Sequence, residues 1–326
     1  MQAADRYPVN GLIQRWTCPA AKDIPMLPNP PPRRIQHGFL YLPPFRVQGL
    51  SIAGEETVVQ VPELNVCFDI GRCPRTALTS RYVALSHGHM DHSGGMVYYF
   101  SQRYFQGMDV GNVICHRDLE KPIHTIMRAW VDLESQRTPY KVIALAPDEE
   151  LEIKNNIHLR AFATVHTVPS LGFVAIERRS KLRPELADLP QERLIELKSR
   201  GEQITQVIEV PLVCYTGDTS MGPHFDRPDV LSARILIVEC TFLEPGHRSR
   251  AAVGKHLHLE DVLDLLDRVQ AEAVVLTHLS RRTHIAAARD QLNEAVPSKH
   301  RDRVFLLMDS RTNRIRYEQQ EHEVRK

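Results

Sequence analysis

No CxxC pair occurs in the 326 residues, and the six cysteines (Cys18, Cys67, Cys73, Cys115, Cys214 and Cys240) lie far apart. A disulfide frame is therefore not expected; the cysteines read as reduced thiols in a cytoplasmic protein. No apolar run approaches the roughly 20 residues that a membrane helix needs, so no membrane span is expected. The opening residues, MQAADRYPVNGL, lack a charged segment followed by an apolar stretch, so no secretory leader is expected either. Neither sign of charge is in excess: 41 basic and 40 acidic residues leave a net +1. That excludes a globally basic nucleic-acid binder and leaves room only for a local basic face. No repeat of 20–50 residues is visible. With 42% apolar and 25% charged residues, the chain has the composition of a globular protein, long enough for one large domain or two ordinary ones. What is plentiful is histidine, with sixteen.

Residues 1–46 read as irregular. The stretch 25–44 holds seven of the 22 prolines, which disfavours helix and central strand alike. Its neighbouring aromatics Phe39, Tyr41 and Phe45 suit an extended arm packed on a domain. Regular patterning starts near residue 50. Apolar, β-branched runs predict strands at 57–61, 64–70, 82–86, 112–116, 141–145, 150–153 and 157–164. Further strands are predicted at 173–176, 212–215, 235–240, 273–277, 304–308 and 314–318. Helical spacing follows Ser93 and Glu120 and recurs at 259–269 and 283–295. Early strands succeed one another as in hairpins and later ones alternate with helices, an α+β pattern of two sheets between helices. The expected layout is an arm over 1–46, one domain over 47–318 and a charged tail over 319–326. Within the domain, 177–206 is densely charged and poor in core residues, and reads as a short helix projecting from the body.

The densest chemistry is Ser86-His87-Gly88-His89-Met90-Asp91-His92, followed by Ser93-Gly94-Gly95. It sits at the C-terminal end of an apolar strand, in a turn before a helix. His87 and His89 alternate, so an extended stretch points both the same way. Asp91 and His92 then turn into an adjacent position. Imidazole nitrogen and carboxylate oxygen suit zinc-like ions. Four ligand-type side chains in six residues exceed what one open tetrahedral site takes from one loop, which suggests two adjacent metals. Three more ligand-type residues stand just past apolar strands: His166 in HTVPSLGF, Asp218 in YTGDTS and His278 in VVLTHLS. Singly, Asp218 reads as a helix cap and His166 or His278 as a buried structural imidazole. Beside HxHxDH they read as ligands.

HGHMDH, followed in order by His166, Asp218 and His278, resembles the metallo-β-lactamase superfamily over roughly residues 47–318. HTVPSLGF, YTGDTS and THLSRR resemble its ribonuclease Z (tRNA 3′-processing endonuclease) branch. The resemblance implies a four-layer αββα sandwich and a hydrolase domain with two divalent metal ions. His87, His89 and His166 would hold one ion, Asp91, His92 and His278 the other, and Asp218 would bridge them. Zinc is the default, and manganese and iron suit the same donors. Asp69, in FDIG, matches the position that orients a ligand histidine through its other ring nitrogen; read alone it is a turn residue before Gly71. The resemblance also implies a phosphodiester substrate, with pre-tRNA the candidate, and a homodimer.

Metal pairs of this kind acidify water for attack and stabilise charge developing on the substrate, and Asp91 can take the nucleophile's proton. The leaving oxygen needs an acid. The branch carries a histidine ten to twenty residues after a His-Glu-Ala-Thr motif. Here Val238-Glu239-Cys240-Thr241-Phe242 stands at that strand end, with Val238 in place of the first histidine. His256 is then the expected acid, oriented by Glu239. His258 is a rival that reads equally as the start of helix 259–269. Cys240 reads as a core residue, not a nucleophile. Arg248, Lys255 and Arg282, with His247, Arg250 and Arg281, are candidate phosphate contacts; Arg282 matches the family arginine, and each reads equally as a solvated loop charge.

Two features depart from the branch. Segment 177–206 stands where a long Gly/Pro-rich arm is usual; it is short, mixed in charge, and reads as a lid or a reduced exosite. The N-terminal Pro-x-Lys-x-Arg-Asn loop is absent. With the near-neutral charge, these departures keep open a small-molecule hydrolase of the same fold: a cyclic nucleotide phosphodiesterase, lactonase or thioesterase. A third reading is a non-catalytic metal- or RNA-binding module.

Overall fold

The structure, a computed structural model, describes residues 37–324; the part of the expected arm before residue 37 lies outside the described residues. The first sheet is formed, in spatial as in chain order, by β1 (Gly38–Leu42), β2 (Phe45–Ala53), β3 (Glu56–Val61), β4 (Val66–Phe68), β5 (Tyr82–Ala84), β6 (Asn112–His116) and β7 (Lys141–Leu145). The second is formed by β8 (Glu150–Lys154), β9 (Ile157–Ala163), β10 (Leu171–Leu182), β11 (Thr205–Tyr215), β12 (Ile235–Glu239), β13 (Ala273–Thr277) and, beyond β13, β15 (Val304–Leu306). Two-residue β14 (Leu279–Ser280) crosses back to pair in parallel with the end of β2. The helices are α1 (Met90–Ser93), α2 (Met96–Phe105), α3 (Arg117–Glu134), α4 (Gln191–Ser199), α5 (Pro228–Leu231), α6 (Arg248–Gly254), α7 (Leu259–Leu266), α8 (Ile285–Ala295) and α9 (Ser310–Val324).

The strands are buried on both faces, which explains their near-continuous apolar runs. Their period of two deals alternate side chains to different layers. On β12, Ile235 and Ile237 join the core between the sheets, while Leu236 and Val238 face α7 and α8. On β5, Tyr82 and Ala84 face inward and Val83 packs outward with Tyr99, Phe100 and Met127 of α2 and α3. Three apolar clusters separate four layers, the expected αββα sandwich. Phe68, Phe173 and Tyr215 join the sheets at the centre, with ring centroids 4.8 and 6.4 Å from that of Phe68.

β4 and β5 run parallel, as do β11, β12 and β13. Their C-terminal ends therefore carry the loops holding Asp69, His87 to His92, Asp218, Glu239 and His278.

Three expectations are corrected. Residues 38–42 and 45–53 are strands, although 1–46 read as irregular; the turn between them takes up Pro43 and Pro44, and β1 pairs through its own register with β2. Residues 314–318 are helix, not strand. Alternating Ile315 and Tyr317 imitate a strand, but the tertiary contacts follow helical spacing. The Asn313 amide caps Leu306 and Leu307 carbonyls, Arg316 lies 4.0 Å over the Phe305 ring, Tyr317 meets Phe39, and Gln320 reaches the Tyr41 carbonyl. Finally, most of 177–206 is not helix. β10 and β11 run on past the sheet as a two-stranded ribbon, with Arg178 opposite Glu209, and only α4 at the tip is helical.

Candidate metal centre

The loop after β5 and the short helix α1 deliver His87, His89, Asp91 and His92. The ends of β9, β11 and β13 deliver His166, Asp218 and His278 from the other sheet. All seven converge. His89 Nδ1 lies 3.0 Å from His87 Nε2 and 3.3 Å from His166 Nε2. Asp218 Oδ2 lies 3.2 Å from both His92 Nε2 and His278 Nε2, and 3.9 Å from His87 Nε2. Asp91 Oδ2 is 3.7 Å from His92 Nε2 and 3.5 Å from His278 Nε2. These atoms form overlapping three-donor groups within 4.8 Å of one another.

Proton accounting shows why the residues fit cations. Lys255 O can only accept, so His166 Nδ1 donates to it at 3.2 Å. Asp69 accepts from His92 Nδ1 at 2.8 Å. Ser86 Oγ gives its proton to Asp69 at 2.7 Å and therefore accepts from His87 Nδ1 at 2.9 Å. Thr241 Oγ1 gives its proton to Glu239 and accepts from His278 Nδ1 at 2.9 Å. In each neutral ring the proton is thus held outward, and the Nε2 lone pair faces other lone pairs and two carboxylates. Only positive charge satisfies such a pocket.

The electrostatics show the same demand for positive charge, met by a proton at His92 and refused at His87. Burial, reinforced by His92, lowers His87 to about 2, which keeps its imidazole neutral. Burial also lowers His166. At His92 burial opposes charge, but Asp218 and Asp69 reverse it and hold the ring well above the usual imidazole range. Asp218 is buried, yet His278, His92 and His87 hold its carboxyl well below the usual range. Asp91 is likewise held low against its burial, by His278, His92 and the Gly54 N–H that donates to Oδ2 at 2.8 Å.

Backbone strain helps aim the groups. Asp69 (φ 56°) and His278 (φ 57°) both sit in the left-handed region, which costs a non-glycine residue roughly 1–2 kcal/mol. Four hydrogen bonds to the Asp69 carboxylate, from Ser86 N, Ser86 Oγ, His92 Nδ1 and Tyr215 OH, fix it in place. Ser51 Oγ accepts from His278 N at 2.9 Å. At Gly217 (φ 60°) a Cβ would sit 2.5 Å from that of Ser86, so the loop carrying Asp218 can pass the histidine loop only as glycine.

Glu239 ends β12 beside the cluster. Its Oε1 accepts from Thr219 N at 2.7 Å and from His256 Nδ1 at 2.9 Å. Burial opposes a charge on His256, but Glu239 and then Asp218 raise it to about 9. The ring comes close because residue 254 lacks a side chain; a Cβ there would lie 2.8 Å from His256 Cδ2. His256 and Asp91 keep 18% and 15% of their side chains exposed, whereas His87 and His92 keep none, so a substrate meets His256 and Asp91 first. The rival His258 is buried and caps α7, accepting from Glu260 N on Nδ1 and donating to Glu244 O from Nε2. Cys240 is buried in the outer core, and burial pushes its thiol up.

The candidate phosphate contacts fare differently. Arg248 is paired with Glu260 and Asp261. Lys255 Nζ donates to His166 O at 2.9 Å, while its own carbonyl holds the His166 ring. Lys255 thus grips His166 from both ends. Arg282 is exposed, beside Arg281, which reaches Glu55 at 3.9 Å. Sequence reasoning missed Ser86, Thr241, Thr219 and Tyr215. The signal, for Ser86 and Thr219, was a hydroxyl side chain directly flanking a ligand-type residue; Thr241 and Tyr215 carried none.

A cation-seeking cluster of histidines and aspartates at the open edge of an αββα sandwich defines a metal-dependent hydrolase of the metallo-β-lactamase fold. Residues 71–279 match the Beta-lactamase superfamily domain. The tRNase Z TRZ1 of Arabidopsis thaliana is 31% identical over 266 residues, 81% of this chain and 95% of that protein. The chloroplastic tRNase Z TRZ2 of the same plant is 31% identical over 76% of this chain and 70% of its own length. Among solved structures, human tRNase Z, short form, superposes with a TM-score of 0.53 at 16% identity, over 80% of this chain and 95% of that one. The metallo-beta-lactamase fold protein YhfI from Bacillus subtilis gives 0.55 at 16% identity, over 79% and 93%. The chain belongs to the β-lactamase superfamily and, within it, to the tRNase Z family; it is a ribonuclease Z-like hydrolase.

Proposed function

We propose that this hydrolase is a tRNA 3′-end endonuclease that cuts one phosphodiester of pre-tRNA. The observation that carries the reading is the Glu239–His256 pair, 2.9 Å apart beside the cluster, with Glu239 buried and His256 partly exposed. A small diester with a good leaving group does not need such an acid; the alkoxide left by a nucleotide does. In this reading His87, His89 and His166 would hold one divalent ion and Asp91, His92 and His278 the other, and Asp218 lies within 3.9 Å of donor atoms of both groups. Zinc is the ion this nitrogen-rich set suits best, with manganese or iron as substitutes. Such ions, when bound, supply Lewis acidity and an acidified water.

The chain's own residues do the rest. Asp91, anchored by Gly54, accepts the proton of the attacking water. Glu239 is a positioning residue: it fixes His256 Nδ1 and leaves Nε2 to meet the leaving oxygen and give it a proton. Asp69 orients His92 directly and His87 through Ser86. Exposed Arg282 is a candidate phosphate contact. Exposed Ile126, Trp130 and Leu133 share one face of α3, and Tyr98 and Phe105 lie on α2, which supports a homodimer through this side. No helix among the described residues is long and apolar enough to cross a membrane. The described cysteines are all free, which fits a cytoplasmic, reducing location.

The test is a paired assay on metal-analysed protein, with a pre-tRNA carrying a 3′ trailer and with bis(p-nitrophenyl) phosphate. Two ions per chain and a single cut just past the discriminator base are expected. Turnover of the small diester alone would move the function to a small-molecule phosphodiesterase, a reading the near-neutral net charge favours. His256→Ala is expected to retain its metal and lose roughly 10²–10⁴ in pre-tRNA turnover; unchanged turnover would remove His256 from the mechanism.

A further inference from the structure

Phe242 is half-buried yet belongs to none of the three apolar clusters that build the sandwich. Its ring neighbours are polar. His256 lies 6.2 Å away at 66°, His247 5.9 Å away at 74°, and the Arg250 guanidinium carbon stands 5.5 Å over its centroid. Carbon atoms in contact lie about 3.5–4.0 Å apart, so the guanidinium does not seal the aromatic face. The backbone of Phe242 is locked on both sides: its N–H donates to Leu257 O, and its carbonyl accepts from Leu259 N at 2.9 Å. Those bonds tie the ring to the segment that carries His256. Residues 239 and 241, just before it, hold His256 and His278. An aromatic face is therefore held in fixed register with the acid, and apolar packing does not account for it.

The charges nearby differ in kind. Arg248 is spent on two carboxylates of α7. Arg250, two residues on in α6, has no carboxylate partner among the described residues; it donates only to His247 Nε2, at 3.3 Å. A π face, an imidazole and an uncommitted guanidinium side by side are what a single-stranded nucleotide needs. The base stacks on the ring, and the cation meets its phosphate.

We infer that Phe242, with Arg250 and His247, forms a base-stacking subsite for the nucleotide on the leaving-oxygen side of the scissile bond. The side follows from the contact of Phe242 with His256, so the inference rests on the ribonuclease reading and on His256 as the acid. Stacking tolerates any base, so the subsite grips a nucleotide without reading its identity.

The test is a cycle between protein and substrate. Wild type, Phe242→Ala, Phe242→Leu and Phe242→Trp are each assayed on pre-tRNA and on the same RNA made abasic at the leaving-side nucleotide, with metal content measured for every variant. Wild type is expected to lose roughly 5- to 150-fold in kcat/KM when the base is removed. The Ala and Leu variants are expected to start from that lower value and lose no more. The Trp variant is expected to behave as wild type. Arg250→Gln is expected to reduce the slope of log kcat/KM against log salt by about one. If wild type cleaves the RNA but the ring and the base act independently, the subsite is wrong and the ribonuclease reading stands. If metal-loaded wild type does not cleave the RNA at all, the ribonuclease reading fails and takes the subsite with it.

Discussion

A single buried carboxylate, Asp69, shows how much of this site rests on groups that never meet the substrate. It accepts from a backbone N–H, a serine, His92 and a tyrosine, and through Ser86 it sets the proton on His87. Asp69→Ala leaves several buried donors without an acceptor, at about 1–3 kcal/mol each. We expect it to lower stability by about 3–5 kcal/mol and to weaken metal retention by roughly 10–100-fold. Tyr215→Phe removes one bond and leaves the ligand contacts alone, so it should cost about 1 kcal/mol with metal content unchanged. Denaturant unfolding and metal analysis of both variants check this. Equal metal loss in the two would show that the carboxylate acts through the inter-sheet core and not through the histidines. The seven ligand-type residues were legible in the sequence because each follows an apolar strand. The hydroxyls that orient them were not, since serine and threonine at strand ends are ordinary, and their partners are as far as 37 residues away for Thr241 and 227 for Ser51.

The ribbon formed by β10 and β11 is where element and function meet least obviously. Its cations are largely neutralised at home: Arg178 by Glu150 and Glu209, Arg179 by Glu177, Arg183 by Glu185, and Arg193 and Arg200 by Glu196. The tip, 184–203, holds three basic against five acidic residues. A net negative tip is a poor grip for a polyanion. Arg183 N already pairs with Ile204 O, so an Asn-Gly turn can replace 184–203 and close the hairpin. We expect the shortened protein to fold and to keep the salt slope of pre-tRNA affinity within about one ion of the parent. A slope shallower by two or more would show that the tip carries phosphate contacts. The sequence marked this segment as charged and apart from the core, but read it as a short projecting helix and not as the extension of two strands. The cross-strand partner of Arg178 is 31 residues away, and local pattern cannot show such pairing.

On the scale of the whole body, residues 37–324, the ligand-type residues come from both sheets: one loop of the first sheet supplies four and three loops of the second supply the rest. Bound ions therefore clamp the open edge of the sandwich, as Phe68, Phe173 and Tyr215 join its middle. Ions present at about 100 times their dissociation constant stabilise the fold by about 2.7 kcal/mol. For a domain of this size that corresponds to roughly 4–5 °C in Tm. Thermal melts with and without a chelator should differ by that much and recover when the ion is restored, and the chelated protein should not hydrolyse either diester. Identical melts would mean that the ions do not bridge the sheets.

The sequence by itself determined the four layers and the order of the ligands. Burial on both faces forces continuous apolar strands, and metal chemistry admits few residue types at their ends. Only the tertiary structure separates the surroundings of His256 and His258, two residues apart in one loop. One reaches Glu239, 17 positions back in sequence, and the other is consumed as the cap of α7. It also decided that Lys255 grips His166, that 310–324 coils into a helix and that the Phe242 ring is left over from the core. Each of these depends on which distant partner a side chain meets, and residue type and spacing do not encode that.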